Sequence, residues 1–323
     1  MAAQQHGSVA DLLDRRILSA LQVDGRASWR RVAGALGEAE RTVIRRGTRL
    51  LTSGYVKVGA LAVRGHSTVV LVRSTAGQAR MAAGALARRP DCAFAHVLTG
   101  SPDCIAELVG PRESLAGLVM DELPGLPGVA EAVAHPVLRH LSTIREWQPG
   151  LLTDAETAAL ATSPESVPSP APPEEPTRTD VLLLDALADD GRRTYDELAR
   201  IAGVSEATAR RRVSTLRRTG QVRIRAVIDP TLLGLPTEAV LRIRLAPGRL
   251  DQVAGALARS PYVRYASFVA GDHQLLVLAA LPSEGHLYDF VTMAPWASDA
   301  LTIETALILA SLKRGGVPMR AHR

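Results

Sequence analysis

The chain carries its own sequence twice. Asp14, Leu18, Leu21, Asp24, Gly25 and Arg26 recur 166 positions later as Asp180, Leu184, Leu187, Asp190, Gly191 and Arg192. With no gap, Ala33, Gly37, Thr42, Arg45, Arg46, Leu50, Gly54 and Val56 return as Ala199, Gly203, Thr208, Arg211, Arg212, Leu216, Gly220 and Val222. A second echo, Ala-Gly-Ala-Leu-Ala-Arg, stands at 83–88 and 254–259. Solenoid repeats are about 20–50 residues long, so a period of this length means duplication of a whole domain pair. One polypeptide then holds two copies of a unit that can also work as a dimer.

Composition narrows the class. A chain of 323 residues with 46% apolar residues can fill several small cores. The net charge of +5 leans towards a polyanionic partner such as nucleic acid. The positive charge is almost all arginine, since lysine occurs only at Lys57 and Lys313. Cys92 and Cys104 are the only cysteines and have no metal-ligand spacing, which suits two reduced structural thiols in a cytoplasmic protein. The first eleven residues contain no apolar run and no stretch of 18 apolar residues exists anywhere, so neither a signal peptide nor a membrane span is expected.

Each half opens with helical periodicity. In the second half Leu183, Leu184 and Leu187 share a face, Asp190-Gly191 breaks the helix, and Leu198, Ala199 and Ala202 form the next stripe up to Gly203. Ser205 is a good N-cap for a third helix with Ala209, Val213 and Leu216 on one face. After Gly220, alternation from Val222 to Ile228 reads as a strand. The first half repeats this plan with Ile17, Leu18 and Leu21, then Val32 and Leu36, then Val43 and Leu50, then Val56 and Val58. Each trio is followed by a strand–helix–strand–strand–helix–strand pattern, which predicts a ferredoxin-like α+β sandwich. Thr153 and Glu156 have capping-box spacing for a short helix, and the prolines between 163 and 179 mark a semi-rigid spacer. The expected division is a helix-turn-helix domain at 9–60, a sandwich at 66–145, a short helix and linker at 146–178, a second helix-turn-helix domain at 179–228 and a second sandwich at 235–314.

Three short helices with a glycine break before the third form a helix-turn-helix. On the third helix of the second half, Thr208, Arg210, Arg211 and Arg212 lie off the apolar face, with Ser205 at its start. Arginine can bond guanine bidentately in the major groove or neutralise phosphate. The first half repeats the pattern with Arg41, Thr42, Arg45, Arg46 and Arg49. Its third helix is expected to be weaker, because Ala39 replaces the cap and Gly47 stands mid-helix where the second copy has Val213.

The combination resembles the Lrp/AsnC (feast/famine) transcription regulators. The resemblance rests on Asp180-x4-Asp185-x-Leu187-x2-Asp190-Gly191-Arg192, Leu198-Ala199, Gly203-Val204-Ser205, Arg211-Arg212-Val213-x2-Leu216 and Gly220-x-Val222. It implies a DNA-binding domain and an amino-acid-sensing sandwich that dimerises through its sheet, here fused in tandem. It also implies double-stranded DNA and an amino-acid-like effector as partners, with homo-oligomers built through the sheets. In the family a turn with a glycine and an acid lies near the effector. The matching residues are Gly100 and Asp103 in the first copy and Gly271 and Asp272 in the second, where Gln274 stands in the place of the acid.

Two rival readings follow from the same plan. Sirohaem decarboxylases resemble these regulators in tandem architecture, but carry a His-Asn-Tyr run and an Asn-x-Trp-Phe-type strand. This chain has Ala95-His96-Val97-Leu98 and Cys104-Ile105-Ala106-Glu107 there, and aromatic residues are only 3% of it, too few for an obvious porphyrin-stacking surface. His96 and His273 read as a packed strand residue and a turn residue. No phosphate loop, nucleophile elbow or metal-ligand cluster appears, so a non-enzymatic chain without a cofactor is expected. The other rival is a sensor that has lost DNA binding.

Overall fold

The computed structural model describes residues 10–62, 65–161 and 176–319. Most of the proline-rich spacer, and the first nine residues, lie outside these. In chain order the first half holds α1 (Leu12–Val23), α2 (Trp29–Leu36), α3 (Glu40–Thr52), β1 (Val56–Ala62), β2 (His66–Ser74), α4 (Ala79–Arg88), β3 (Cys92–Leu98) and β4 (Cys104–Gly110). It continues with a short α5 (Leu115–Gly117) inside a run of helical turns, the long β5 (Val129–Ser142) and α6 (Asp154–Leu160). The second half holds α7 (Arg178–Asp189), α8 (Tyr195–Ala202), α9 (Glu206–Arg218), β6 (Val222–Ile228), β7 (Thr237–Leu245) and α10 (Leu250–Ala258). It ends with β8 (Val263–Val269), β9 (Leu275–Leu281), α11 (Glu284–Thr292), β10 (Ala300–Arg314) and the two-residue β11 (Val317–Pro318).

These elements form two compact units, but not one per half. One unit combines Met1–Val63 with Gln148–Gly234, the other Arg64–Trp147 with Leu235–Arg323. Like has packed with like: the two helical trios share one unit and the two sheet segments the other.

The helical unit is built by reciprocal exchange. Strands β1 and β6 pair antiparallel from Val56↔Ile228 through Gly59↔Arg225 to Ala62↔Val222. Shifting each residue by the repeat offset maps this register onto itself, so the two helical trios are related by a local two-fold at Gly59 and Arg225. The paired strands cross the Asp-Gly-Arg corner of each trio. Gly25 donates its N–H to Ile224 at 2.9 Å, and Gly191 donates to Val58 at 2.8 Å. A Cβ at Gly25 would stand 2.6 Å from Val58 and 2.8 Å from the Arg225 backbone; one at Gly191 would stand 2.8 Å from Ile224. Only glycine lets the strands pass this close. The arginines of the two corners reach across the dyad: Arg26 donates to the Gly191 carbonyl at 2.7 Å and Arg192 to the Gly25 carbonyl at 2.7 Å. Arg26 lies over the Tyr195 ring and Arg192 over the Trp29 ring, at 4.7 and 4.8 Å from their centres. The repeated Asp-Gly-Arg is therefore a crossing point.

The same comparison explains Gly47. Trp29 and Gly47 hold the places of Tyr195 and Val213 in the repeat. A Cβ on Gly47 would overlap the Trp29 ring, so the missing side chain is the space the larger aromatic fills. The expected packing loss at this position is thus compensated by its neighbour. Ala39, as expected, gives α3 no side-chain cap, whereas the Ser205 hydroxyl accepts from the Thr208 N–H. The Thr153–Glu156 capping box opens α6 as read from the sequence. From there Glu156 pairs with Arg16 of α1, and Arg31 of α2 donates to the Ala159 carbonyl at 3.1 Å. Helix α6 is thereby a fourth helix on the first trio.

The second unit is mixed α+β. Its strand order is β5-β2-β4-β3 in the first half and β10-β7-β9-β8 in the second, all antiparallel. Two further pairings, β5 with β8 and β10 with β3, join these into one sheet that closes as a barrel. Association through the sheets is therefore made inside the single chain. Alternation sorts the residues. Val70, Val72, Ala95, Val97 and Ala106 face outward under Ala82, Ala83 and Leu86 of α4. Val69, Leu71, Phe94 and Ile105 face inward and meet Val240, Tyr265, Leu276 and Leu278 of the other half. Strands covered on both faces become near-continuous apolar runs, which is why 69–72 and 275–281 lack alternation in sequence.

Several buried polar groups in this unit pair with one another. Glu238 accepts from Arg264 at 2.6 Å and from both terminal nitrogens of Arg314 at 2.5 and 2.6 Å, all three residues being buried. His96 is a packed strand residue, stacked on Phe94 and bonded to Ser311 at 2.8 Å. Both thiols are free and buried, and burial pushes each up to about 12, leaving them inert. Inside the barrel the Tyr265 hydroxyl donates to buried Glu107 at 2.9 Å.

Two predictions follow from this packing. Gly47→Val should destabilise the chain by about 1–3 kcal/mol through overlap with Trp29. Adding Trp29→Tyr, which copies the second trio, should recover most of the loss, and equal denaturation midpoints for the single and double variants would refute the compensated pair. Burial pushes Glu107 up to about 7 from the ordinary 4.5. The folded chain then holds this proton more tightly than the unfolded one. Its stabilising contribution is complete below about pH 4.5 and is lost as pH rises through about 7. The unfolding free energy of Glu107→Gln relative to the parent should therefore rise by about 3 kcal/mol between those limits. Parallel pH profiles would show that Glu107 titrates normally.

Candidate nucleic-acid interface

The third helices present the same kind of face. On α9, Ala209, Val213 and Leu216 are buried; on α3, Val43, Gly47 and Leu50 are. Outward on α9 stand Glu206, Ala207, Arg210, Arg211, Ser214 and Arg218, and on α3 Glu40, Arg41, Ile44, Arg45, Thr48, Arg49 and Thr52. Thr42 and Thr208 are half-buried at the edge of these faces. A shallow groove runs along α9 between Arg210, Arg211, Thr215 and Arg218. Arg218 was absent from the sequence-based selection, although its i+7 spacing from Arg211 places it on the same stripe.

Not every expected arginine faces outward. Arg212 donates Nε–H to Asp180 at 2.8 Å and also reaches the Thr177 hydroxyl at 3.2 Å. Asp180 is buried; burial pushes its carboxyl up, but the bonds from Arg212 and Thr177 outweigh this and hold it below the usual range. The first trio repeats the device, with Arg46 bonded to Asp14 at 3.1 Å and paired with Asp11, and Arg49 paired with Asp14. These arginines brace the third helix against the first helix of its own trio. Ser205 is occupied as a cap, bonded to both the N–H and the hydroxyl of Thr208. Arg210 is braced differently, by Glu206 at 2.7 Å and by lying 4.6 Å from the centre of the Tyr195 ring, and stays well exposed. Arg217, also overlooked, ties α9 to buried Asp24 at 2.8 Å across the local two-fold.

The turns expected to meet an effector have structural duties. The Asp103 carboxylate accepts from the Ser74 N–H at 2.9 Å and from its hydroxyl at 2.6 Å. Gln274 accepts from the Leu245 N–H at 2.9 Å. Ser74 and Leu245 are the last residues of β2 and β7. Glutamine therefore does the acid's anchoring work in the second copy. Gly100 has φ of +80° and Gly271 +140°, and a Cβ on the latter would strike the His135 ring. Asp272 is exposed. His273 lies in the same turn, as expected, 3.2 Å from Glu304. A cavity of about 310 Å³ in this unit is lined by other residues, among them His66, Arg89, Leu108, Leu118 and Val137.

Comparison with known proteins agrees with the geometry. An AsnC-type helix-turn-helix domain matches at 11–51 and again at 177–217, and an Lrp/AsnC ligand binding domain at 238–318. The chain is 31% identical over 138 residues to an uncharacterized HTH-type transcriptional regulator of Pyrococcus furiosus, spanning 42% of this chain and 93% of that protein. It is 29% identical over 136 residues to the HTH-type transcriptional regulator LrpA of Pyrococcus abyssi, covering 42% of this chain and 96% of LrpA. Over the whole length it is similar in fold to the siroheme decarboxylase NirDL, with a TM-score of 0.59, 13% identity, and coverage of 95% of this chain and 94% of that one. At that identity the likeness is one of fold alone. No helix among the described residues is long and apolar enough to cross a membrane. Two matched helix-turn-helix segments and a matched ligand domain, on a frame that pairs each copy with its twin, place the chain in the Lrp/AsnC family of helix-turn-helix transcription regulators.

Proposed function

We propose that the chain regulates transcription by gripping duplex DNA with α9 and α3, and that an amino-acid-like metabolite at the sheet unit modulates the grip. The observation that carries this is the recurrence of one threonine–arginine pair, Thr42 with Arg45 and Thr208 with Arg211, at the same place on both third helices, each arginine exposed. Arg41 and Arg210 add outward charge. Arg46, Arg49, Arg212 and Ser205 serve the interface by holding the helices in place. The strand orders β5-β2-β4-β3 and β10-β7-β9-β8 support two ferredoxin-like modules as the sensing part. The decarboxylase reading rests on a shared fold at 13% identity only.

Fluorescence anisotropy on a duplex, across a salt series, tests the grip. Arg211→Ala should weaken binding and lower the salt slope by about one, the mark of a lost phosphate contact. Arg212→Ala should instead lower stability by about 1–3 kcal/mol, because it leaves buried Asp180 short of a partner. A slope unchanged by Arg211→Ala would remove that residue from the interface.

Gly100, Asp103, Gly271, Asp272 and Gln274 are proposed to border the effector. Coupling between such a ligand and DNA is typically about 1–3 kcal/mol. Calorimetry with the common amino acids tests this, using Asp272→Ala because Asp272 is exposed while Asp103 anchors a strand end. A ligand whose affinity falls in that variant supports the turns; one bound equally well by both places the pocket elsewhere.

A further inference from the structure

The two reading heads are related by a local two-fold yet carry different side chains. Two identical heads on a dyad would read a DNA inverted repeat, because operator symmetry mirrors protein symmetry. Here one polypeptide supplies both heads, so nothing forces them to match. On the outward face the repeat keeps Glu40 as Glu206, Thr42 as Thr208 and Arg45 as Arg211, and exchanges Thr48 for the smaller hydroxyl of Ser214. It changes four other places: Arg41 to Ala207, Ile44 to Arg210, Arg49 to Thr215 and Thr52 to Arg218. The exposed arginines are Arg41, Arg45 and Arg49 on α3, the last of them tied to Asp14, against Arg210, Arg211 and Arg218 on α9. Their placement along the two helices differs.

The change from Ile44 to Arg210 decides most. Ile44 keeps 42% of its surface exposed on a face otherwise polar. Arg210 is 62% exposed and oriented by Glu206 and the Tyr195 ring. An arginine at a major-groove edge favours guanine, whereas an apolar side chain favours the thymine methyl group.

Resting on the DNA-binding reading above, we infer that this chain recognises an unequal inverted repeat in one fixed orientation, with the step under Thr42/Arg45 and Thr208/Arg211 shared by both half-sites and the step under Ile44 and Arg210 different, thymine on the α3 side and guanine on the α9 side. The repeat is then a means of giving a two-fold scaffold a direction along the DNA.

Selection of bound duplexes from a random pool with the full chain, repeated with Ile44→Arg, tests this. The expected motif is two related half-sites that differ at one corresponding position, and Ile44→Arg should convert the thymine half-site towards the guanine one. Replacing that thymine by cytosine in the selected duplex should weaken the parent roughly tenfold, in line with the usual penalty for one wrong base pair, and should weaken Ile44→Arg less. A perfect inverted repeat for the parent, or a motif untouched by Ile44→Arg, would overturn the inference while leaving DNA binding intact. Binding without any enriched sequence would likewise overturn the inference alone, whereas no retention of any duplex, even at low salt, would overturn the DNA-binding reading itself. Because Ile44 keeps 42% of its surface exposed, the variant is expected to fold, and an unchanged denaturation midpoint checks this.

Discussion

Backbone pairing between the two copies is the interaction on which everything else depends. In the helical unit it is the β1–β6 ladder, crossed by the amides of Gly25 and Gly191. In the sheet unit it is the pairing of β5 with β8 and of β10 with β3. Without these partners each copy would expose strand edges and one apolar face, a state that invites aggregation. The conserved detail of the repeat follows from the pairing. Asp-Gly-Arg recurs because a glycine must let a strand pass and an arginine must reach the opposite carbonyls. Divergence is concentrated where the partner does not constrain the side chain, as on the outward faces of α3 and α9.

Charge is divided between two duties. Arg46, Arg212 and Arg217 spend their hydrogen bonds on buried carboxylates at Asp14, Asp180 and Asp24, fixing each third helix to the rest of the unit. Removing such an arginine leaves a carboxylate with too few donors, which costs more than the pair's net contribution. Arg45 and Arg211 project outward instead. Under the proposed DNA-binding reading, a rigid support under an exposed arginine would lower the entropy lost when it meets DNA.

Local signals in the sequence predicted local structure well. The capping box at Thr153 and Glu156, the cap at Ser205, the missing cap at Ala39 and the glycine stops all describe interactions within a few residues. The buried stripes of α3 and α9 followed from periodicity. What periodicity cannot reveal is the partner of an apolar face: association of the sandwiches through their sheets came from the resemblance, whereas the exchange of β1 with β6 and the closure of one sheet were not legible. Gly47 looked like a defect because its compensation, Trp29, lies on another helix. Gln274 looked like a broken motif because an anchoring role to Leu245 depends on a neighbouring strand end, and an amide oxygen accepts that bond as a carboxylate does. Arg46 and Arg212 could not be told from Arg45 and Arg211 by type, since one helical step decides whether a guanidinium faces Asp14 or Asp180, or solvent.

Closure of both pairings within one chain also changes how the protein behaves with copy number. A tethered partner is present at an effective concentration set by the chain and not by the number of molecules in the cell. Heads carried on separate chains would come apart on dilution, and their occupancy of DNA would climb steeply above a threshold. Here both heads are made together on one chain, so their pairing with each other does not depend on the amount of protein. Nor can a half be traded for that of a related regulator, which keeps the pairing of these two heads, and any direction they impose on DNA, fixed at synthesis.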